Sequence, residues 1–175
     1  MKRVFAAACC LTLLAVPALS QKKHAHATPP ATAMTDQQFI DMAAQTDMLE
    51  ANLGQQAANQ AASQDVKDYA QMLVNDHTAD YQQLSALAAK DNFTVPKGLD
   101  DEHTKVATSF SELNGKAFDQ KYVHTMIEGH TKAISVYTME SADAQSGDVK
   151  SYAAATLPTL QKHLDGAKDV VKKLK

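Results

Sequence analysis

The sequence predicts an all-α fold in which two long helical hairpins pack into a four-helix bundle. Three observations support this prediction. Apolar residues recur at spacings of three and four along four long segments, which is the period of an amphipathic helix. The 175 residues include only 6 Gly and 5 Pro, too few for a turn-rich all-β chain. An eight-residue segment also recurs at an offset of 83, each time before a long apolar stripe.

The first hairpin is predicted from two apolar stripes that a short polar turn separates. Residues 35–38 have the T-x-x-Q form of a capping box, so a helix is expected to begin there. Its apolar stripe covers residues 39–61, and we expect the helix to end near Ala62. Residues 63–65 form a tight polar turn that can cap the next helix, and the second stripe covers residues 66–88.

The second hairpin is predicted in the same way, after a longer connection. A short helix is expected over residues 100–113 and a third long helix over residues 116–144. Residues 146–148 form the next turn, and the fourth stripe covers residues 149–174. About 26 residues separate the two hairpins, which is enough to run the length of the bundle. The connection is therefore predicted to be a long crossover of the ferritin type that contains the short helix.

The eight-residue repeat relates the two hairpins to each other. Residues 63–70 and residues 146–153 are identical at six of eight positions, and each copy lies where a turn leads into a long helix. We infer from this that the two hairpins arose by duplication and pack face to face.

The first 34 residues are predicted to lie outside the bundle domain, which covers residues 35–175. Residues 1–20 have a basic start, an apolar run and small residues before Gln21, which is the pattern of a cleaved signal peptide. The alternative, a membrane anchor, is disfavoured because the run of about sixteen residues is short for a spanning helix. Residues 21–34 are predicted to be a disordered linker. The expected location is periplasmic or secreted.

Composition and motifs exclude several classes of function. A formal charge of −3 and a pI near 6.1 disfavour nucleic-acid binding, which requires clustered cations. Both cysteines, Cys9 and Cys10, fall in the predicted signal peptide, so the mature chain has no thiolate for catalysis or metal binding. The sequence contains no Gly-rich phosphate loop, no G-x-S-x-G and no H-E-x-x-H. We therefore predict no catalytic or cofactor-binding residue, and an enzyme is the less favoured class.

Each apolar stripe is interrupted by a polar residue that a metal can use. At 1.5 Å per residue, each of the four lies about 18–25 Å from its hairpin turn, near mid-height of a bundle about 40 Å long. Three aspartates lie next to these residues or at equivalent positions of the repeat. Imidazoles and carboxylates suit transition metals, and copper, zinc or iron is the expected ion. The predicted mid-bundle metal residues are Glu50, His77, His130, His163, Asp76, Asp80 and Asp47.

A metal-free helical module is the alternative. Buried polar pairs can set the register of a bundle without a metal. Such a structural or protein-interaction module is expected to expose an apolar strip, for instance around Phe110 or Tyr137. A di-iron centre is disfavoured in either case, because the sequence contains no E-x-x-H.

Three motifs resemble those of a known bacterial family. They are V-K-x-Y-A-x-M-L-V-x-D-H-T over residues 66–78, L-x-G-x-x-F-D-x-x-Y over residues 113–122, and L-P-x-L-x-x-H-L over residues 157–164. The chain is similar to domain-of-unknown-function family 4142, usually described as ferritin-like and often labelled a predicted outer membrane protein. The resemblance implies an exported ferritin-like domain without an established activity. The membrane label conflicts with the sequence, in which no segment after Ser20 is apolar enough to span a bilayer.

Overall fold

The structure is a computed structural model that describes residues 34–174. The predicted signal peptide and residues 21–33 of the predicted linker lie outside the described residues. Met34, the last residue of that linker, is partly buried against apolar side chains of the bundle. Within residues 34–174 all regular secondary structure is helical, which confirms the all-α class.

Within residues 34–174, five helices follow one another in the order that the apolar stripes predict. They are α1 Asp36–Gln60, α2 Gln64–Asp91, α3 Asp101–Thr108, α4 Gly115–Asp143 and α5 Gly147–Lys173. The capping box predicted at the start of α1 is present, because the Thr35 hydroxyl accepts from the backbone N–H of Gln38 and the Gln38 side chain accepts from that of Thr35. Four long helices and one short helix are thus observed, as predicted.

The end of the short helix differs from the prediction for a reason that only the packing shows. The short helix α3 ends at Thr108 rather than at residue 113. Beyond it, the side-chain amide of Gln60 donates to the carbonyls of Phe110 and Leu113, at 2.9 and 2.8 Å. These carbonyls are bound to α1, and residues 109–113 form successive tight turns instead of a further helical turn.

The four long helices pack as a bundle of two hairpins. α1 packs along α2, and α4 packs along α5; α2 also lies beside α5, and α1 beside α4. The crossover follows α1, since Gln45 donates to the carbonyl of Gly98 and Gln60 to that of Phe110. α4 therefore begins at the end of the bundle where α1 ends, so α2 and α4 run in the same direction.

The two hairpins exchange equivalent contacts at their turns. Asp119 of α4 accepts the backbone N–H groups of residues 62–63, in the α1–α2 turn, at 3.1 and 2.9 Å. Asp36 of α1 accepts those of residues 145–146, in the α4–α5 turn, at 2.9 and 2.6 Å. The two aspartates are 83 residues apart, as are the two turns. The sequence repeat thus corresponds to a real equivalence between the two halves of the bundle.

Apolar side chains form two separate clusters along the bundle. The first lies towards the α1–α2 turn and contains Leu53, Leu73, Phe118 and Tyr122, whereas the second lies towards the α4–α5 turn and contains Phe39, Leu84, Tyr137 and Tyr152. A layer of polar side chains occupies the level between them.

The exposed apolar strip expected for a metal-free interaction module is absent where it was predicted. Phe110 is fully buried and Tyr137 is 3% exposed, so that expectation is wrong. Both side chains pack into the bundle, Phe110 against Phe118 and Tyr137 against Phe39. Among residues 34–174, Met139 is the large apolar side chain that stays exposed. In the same range, no helix combines the length and the apolar character needed to cross a membrane.

Candidate metal centre

Every long helix places a buried polar side chain at the level between the two apolar clusters. In α2, His77 lies between Leu73 of the first cluster and Leu84 of the second. In the other long helices, Glu50 of α1, His130 of α4 and His163 of α5 likewise lie between residues of the two clusters. Because the rise per residue of a helix is constant, equal distances from the turns bring the four residues to one height.

The four side chains approach one another on the bundle axis. The Glu50 Oε2 atom lies 3.1 Å from His77 Nε2 and 3.5 Å from His130 Nε2. His130 Nε2 in turn lies 3.2 Å from His163 Nδ1. One ring nitrogen from each of the three histidines lies within 4.8 Å of the other two. All four residues are at most 3% exposed, so water is largely excluded from this cluster.

Two of the imidazoles are held from outside by carboxylates. His77 Nδ1 lies 2.8 Å from Asp47 Oδ1, and His163 Nε2 lies 2.9 Å from Asp76 Oδ2. Where the carboxylate is ionised it can only accept, and the imidazole nitrogen that faces it then carries the proton. A histidine that binds a metal through one nitrogen commonly donates its other N–H to a carboxylate or a carbonyl. Asp47 and Asp76, both predicted as metal residues, therefore lie outside the central cluster, where each holds an imidazole.

The third imidazole is held by the backbone. His130 Nδ1 lies 2.8 Å from the carbonyl oxygen of Met126, one turn earlier in α4, and donates its proton to it. In the neutral ring, Nε2 then has a lone pair. The same reasoning leaves a lone pair on Nδ1 of His163, and these two nitrogens face each other at 3.2 Å. Two opposed lone pairs repel, so this contact needs a cation between or beside them, either a proton or a metal ion.

Other polar atoms at the same point are buried without a hydrogen bond. Glu50 Oε2 and His77 Nε2 lie 3.1 Å apart, the distance of an ion pair, but neither atom forms a regular hydrogen bond among the described residues. Asp47 Oδ2 is in the same condition. Buried polar atoms are normally satisfied, and those that are not require an explanation. An ion bound by Glu50 and His77 supplies one.

Burial and neighbouring charges shift the pKa values of the residues in the cluster in different directions. Burial alone would raise the pKa of Glu50, but the charges of His130 and His77 lower it below its ordinary value. Burial would lower the pKa of His77, yet the charge of Glu50 and the hydrogen bond to Asp47 raise it to about 10. Burial lowers the pKa of His163 to about 4 and raises that of Asp47 to about 7. At neutral pH the metal-free cluster thus contains the Glu50 carboxylate, the neutral imidazole of His163 and a protonated His77, whose Nε2 proton a metal ion has to displace.

Asp80, also a predicted metal residue, forms its hydrogen bond with a tyrosine and not with one of the histidines. Its Oδ2 atom accepts a hydrogen bond of 2.9 Å from the hydroxyl of Tyr152. Burial raises the pKa of Asp80 above its ordinary value. The equivalent tyrosine of the repeat, Tyr69, donates to the backbone carbonyl of His163 at 2.9 Å, and His163 is 83 residues after Asp80.

Sequence reasoning missed two groups that position the site. The backbone carbonyl of Met126 orients His130. Every residue has such a carbonyl, so the sequence could not single this one out. The hydroxyls of Tyr69 and Tyr152 reach equivalent positions of the two halves. Both tyrosines occur in the repeated segment, so the repeat was the signal that could have found them.

Comparisons with known proteins identify a family and a fold. Residues 21–170 match the family described as "Domain of unknown function (DUF4142)". A solved structure, "Crystal structure of DUF305 fragment from Deinococcus radiodurans", is similar with a TM-score of 0.68 and 17% sequence identity, over 83% of this chain and 99% of that one. At this identity the likeness concerns the fold alone. No curated protein matches the chain.

Proposed function

The chain belongs to domain-of-unknown-function family 4142, and we propose that it binds one divalent transition-metal ion in the middle of its helical bundle. The proposed ligands are His77, His130, His163 and Glu50. The single observation that carries the proposal is the approach of His130 Nε2 to His163 Nδ1 at 3.2 Å, while the outer nitrogen of each ring is already engaged as a donor. A metal ion accepts both lone pairs and removes their repulsion.

The donor set indicates the class of metal. Three imidazole nitrogens and one carboxylate oxygen suit Cu²⁺, Zn²⁺ or Fe²⁺, and Cu²⁺ binds most tightly in the general order of divalent ions. Ca²⁺ and Mg²⁺ prefer sites made of oxygen ligands, so they fit this cluster poorly. Four protein ligands also complete the coordination of a tetrahedral ion, which is typical of a site that holds the metal rather than one that catalyses. Metal handling is therefore the proposed role.

The cellular setting and the arrangement of helices are part of the same proposal. We propose that the protein is exported, because the first 20 residues have the pattern of a signal peptide. We also assign the bundle to the ferritin-like class. The crossover that follows α1 and the parallel course of α2 and α4 support this assignment.

Metal analysis of the purified chain tests the proposal. The protein is stripped with a chelator, incubated separately with Cu²⁺, Zn²⁺ and Fe²⁺, desalted and measured by elemental analysis. We expect one ion per chain in the wild type, and loss of that ion in His77→Ala and in His163→Ala.

His124→Ala is the matched control, because His124 is exposed on α4 and lies outside the cluster. It should retain the metal content of the wild type. If the wild type retains none of the three ions, the proposed function is wrong and a metal-free helical module is the better description.

A further inference from the structure

A groove between α2 and α5 leads from the solvent to the buried wall of the candidate metal centre. The groove has a volume of about 870 Å³ and is lined by side chains of both helices. His77 and His163 form part of its wall, whereas Glu50 and His130 lie on the far side of the cluster. The groove thus ends at two of the four proposed ligands.

Several of the side chains that line the groove are small. Ala79 and Ala86 of α2 lie opposite Ser151, Ala155 and Thr159 of α5. Between α2 and α5 these side chains leave space unfilled, although protein interiors are normally packed to high density. By contrast, α1 packs closely on α2 and α4 on α5.

Carboxylates line the groove next to the imidazoles. Asp76 is partly exposed, with 34% of its side chain accessible, and its Oδ2 atom is already bound to His163 Nε2 at 2.9 Å. Asp80 lies one turn further along the same face of α2. The lysines of the groove lie beside carboxylates, since Lys162 Nζ is 3.8 Å from Asp76 and Lys90 pairs with Asp148. Asp80 bonds instead to the neutral hydroxyl of Tyr152 and retains its attraction for a cation.

We infer that this groove is the route by which a hydrated divalent cation enters and leaves the bundle. Asp80 and then Asp76 contact the ion on its way from solvent to His163 and His77. The inference rests on the proposed function and adds the path of the ion to it. Elsewhere along the axis, the two apolar clusters enclose the site, and an ion crossing them would lose its water without compensation. In the groove, carboxylate oxygens replace the water that the ion gives up.

Partial obstruction of the groove tests this route. Ala155→Trp and Ala79→Trp each place a large ring in the groove without altering a proposed ligand, and both positions are exposed. Uptake of Co²⁺ by the full metal-free chain is followed by stopped-flow absorbance, and its release is followed after addition of excess chelator. We expect the rates of uptake and release to fall together by about tenfold, which corresponds to a barrier raised by about 1.4 kcal/mol, with the dissociation constant unchanged.

Ala154→Trp is the matched control. Ala154 is the preceding residue of α5, is exposed and does not line the groove, so its variant should exchange Co²⁺ at the rate of the wild type. Circular dichroism establishes that all three variants keep the helical fold. If Ala155→Trp and Ala79→Trp bind Co²⁺ at wild-type rates, or if Ala154→Trp is slowed equally, the route is wrong while the proposed function stands. If the wild type binds no Co²⁺, the proposed metal site itself has failed.

Discussion

Asp76 and Asp80 are one turn apart on α2, yet they have different partners. Asp76 accepts the N–H of His163, a proposed ligand, whereas Asp80 accepts the hydroxyl of Tyr152. A carboxylate behind a metal-binding imidazole fixes the orientation of its ring and increases its basicity. The two aspartates therefore form a natural pair for comparison, because only one of them touches a ligand.

We predict that Asp76→Asn weakens metal binding at equilibrium by about 10-fold to 100-fold, the usual effect of losing such an outer partner. The Asn carbonyl can still accept from His163 but has no charge. Asp80→Asn is the control and should change the affinity less. Competitive titration of Zn²⁺ against a chelating dye measures both constants. Equal affinities of Asp76→Asn and the wild type would contradict the role given to Asp76.

At the scale of the helices, each hairpin provides an aspartate that accepts hydrogen bonds from the turn of the other hairpin. Asp119 binds the α1–α2 turn and Asp36 binds the α4–α5 turn, in both cases through two backbone N–H groups. Both aspartates are buried, at 3% and 8% exposure. Hydrogen bonds to a charged group in such a setting contribute more than those between neutral groups.

Asp36→Ala and Asp119→Ala should each lower the free energy of unfolding by about 1.5–3 kcal/mol, because the turn N–H groups lose their charged acceptor. Urea denaturation of the metal-free protein measures this change. Asp68→Ala is the control, since Asp68 is exposed and bonds to the side chain of Gln64. The prediction fails if either Asp36→Ala or Asp119→Ala is as stable as Asp68→Ala.

Glu140, near the end of α4, is a destabilising residue of the same region. It is buried, its Oε2 atom has no hydrogen-bond partner within residues 34–174, and the Asp36 carboxylate is nearby. Burial, followed by the charge of Asp36, raises the pKa of Glu140 above its ordinary value. A raised carboxyl pKa means that the unfolded chain ionises first, so stability is lost as the pH rises through the ordinary value. The equivalent residue of the first hairpin is Ala57, which is apolar.

Glu140→Gln should therefore raise the free energy of unfolding at pH 7 by about 1 kcal/mol, because the buried charge is removed. At pH 4, where the folded chain already holds the proton, the gain should largely vanish. Urea denaturation at the two pH values checks both statements. Glu128→Gln, at an exposed position of α4, serves as the control. A variant that stabilises equally at both pH values would show that the charge of Glu140 is not the cause.

For the molecule as a whole, the polar layer divides the interior and joins the four long helices at one point. The apolar clusters on either side of it stabilise the bundle by burial, whereas the layer itself contains polar atoms without partners. An ion bound there links α1, α2, α4 and α5. Any ligand that binds only the folded chain stabilises it by mass action.

Thermal unfolding should accordingly depend on the metal. With free Zn²⁺ at about 100 times its dissociation constant, the folded state should gain about 2.7 kcal/mol, and the midpoint should rise. A chelator should reverse the shift, and Mg²⁺ should cause none. In His163→Ala the Zn²⁺ shift should disappear. An unchanged midpoint of the wild type in saturating Zn²⁺ would contradict binding at the cluster.

The positions of the helices and the height of the polar residues along them could be predicted from the amino-acid sequence. The period of the apolar stripes identified the four long helices, and a constant rise per residue placed Glu50, His77, His130 and His163 at one level. These are local properties, since they depend on spacing along a single chain. The 83-residue repeat likewise predicted that the two halves are related.

The contacts that each side chain makes at that level follow from the packing of the helices and could not be predicted. Asp47 and Asp76 contact imidazoles from outside, Asp80 bonds to a tyrosine, and the carbonyl of Met126 orients His130. These roles depend on the rotation of each helix about its axis and on the distance between neighbouring helices. Both are set by side chains that meet across the bundle, such as the small residues that line the α2–α5 groove. The spacing of residues along the chain does not specify which side chains of different helices come into contact.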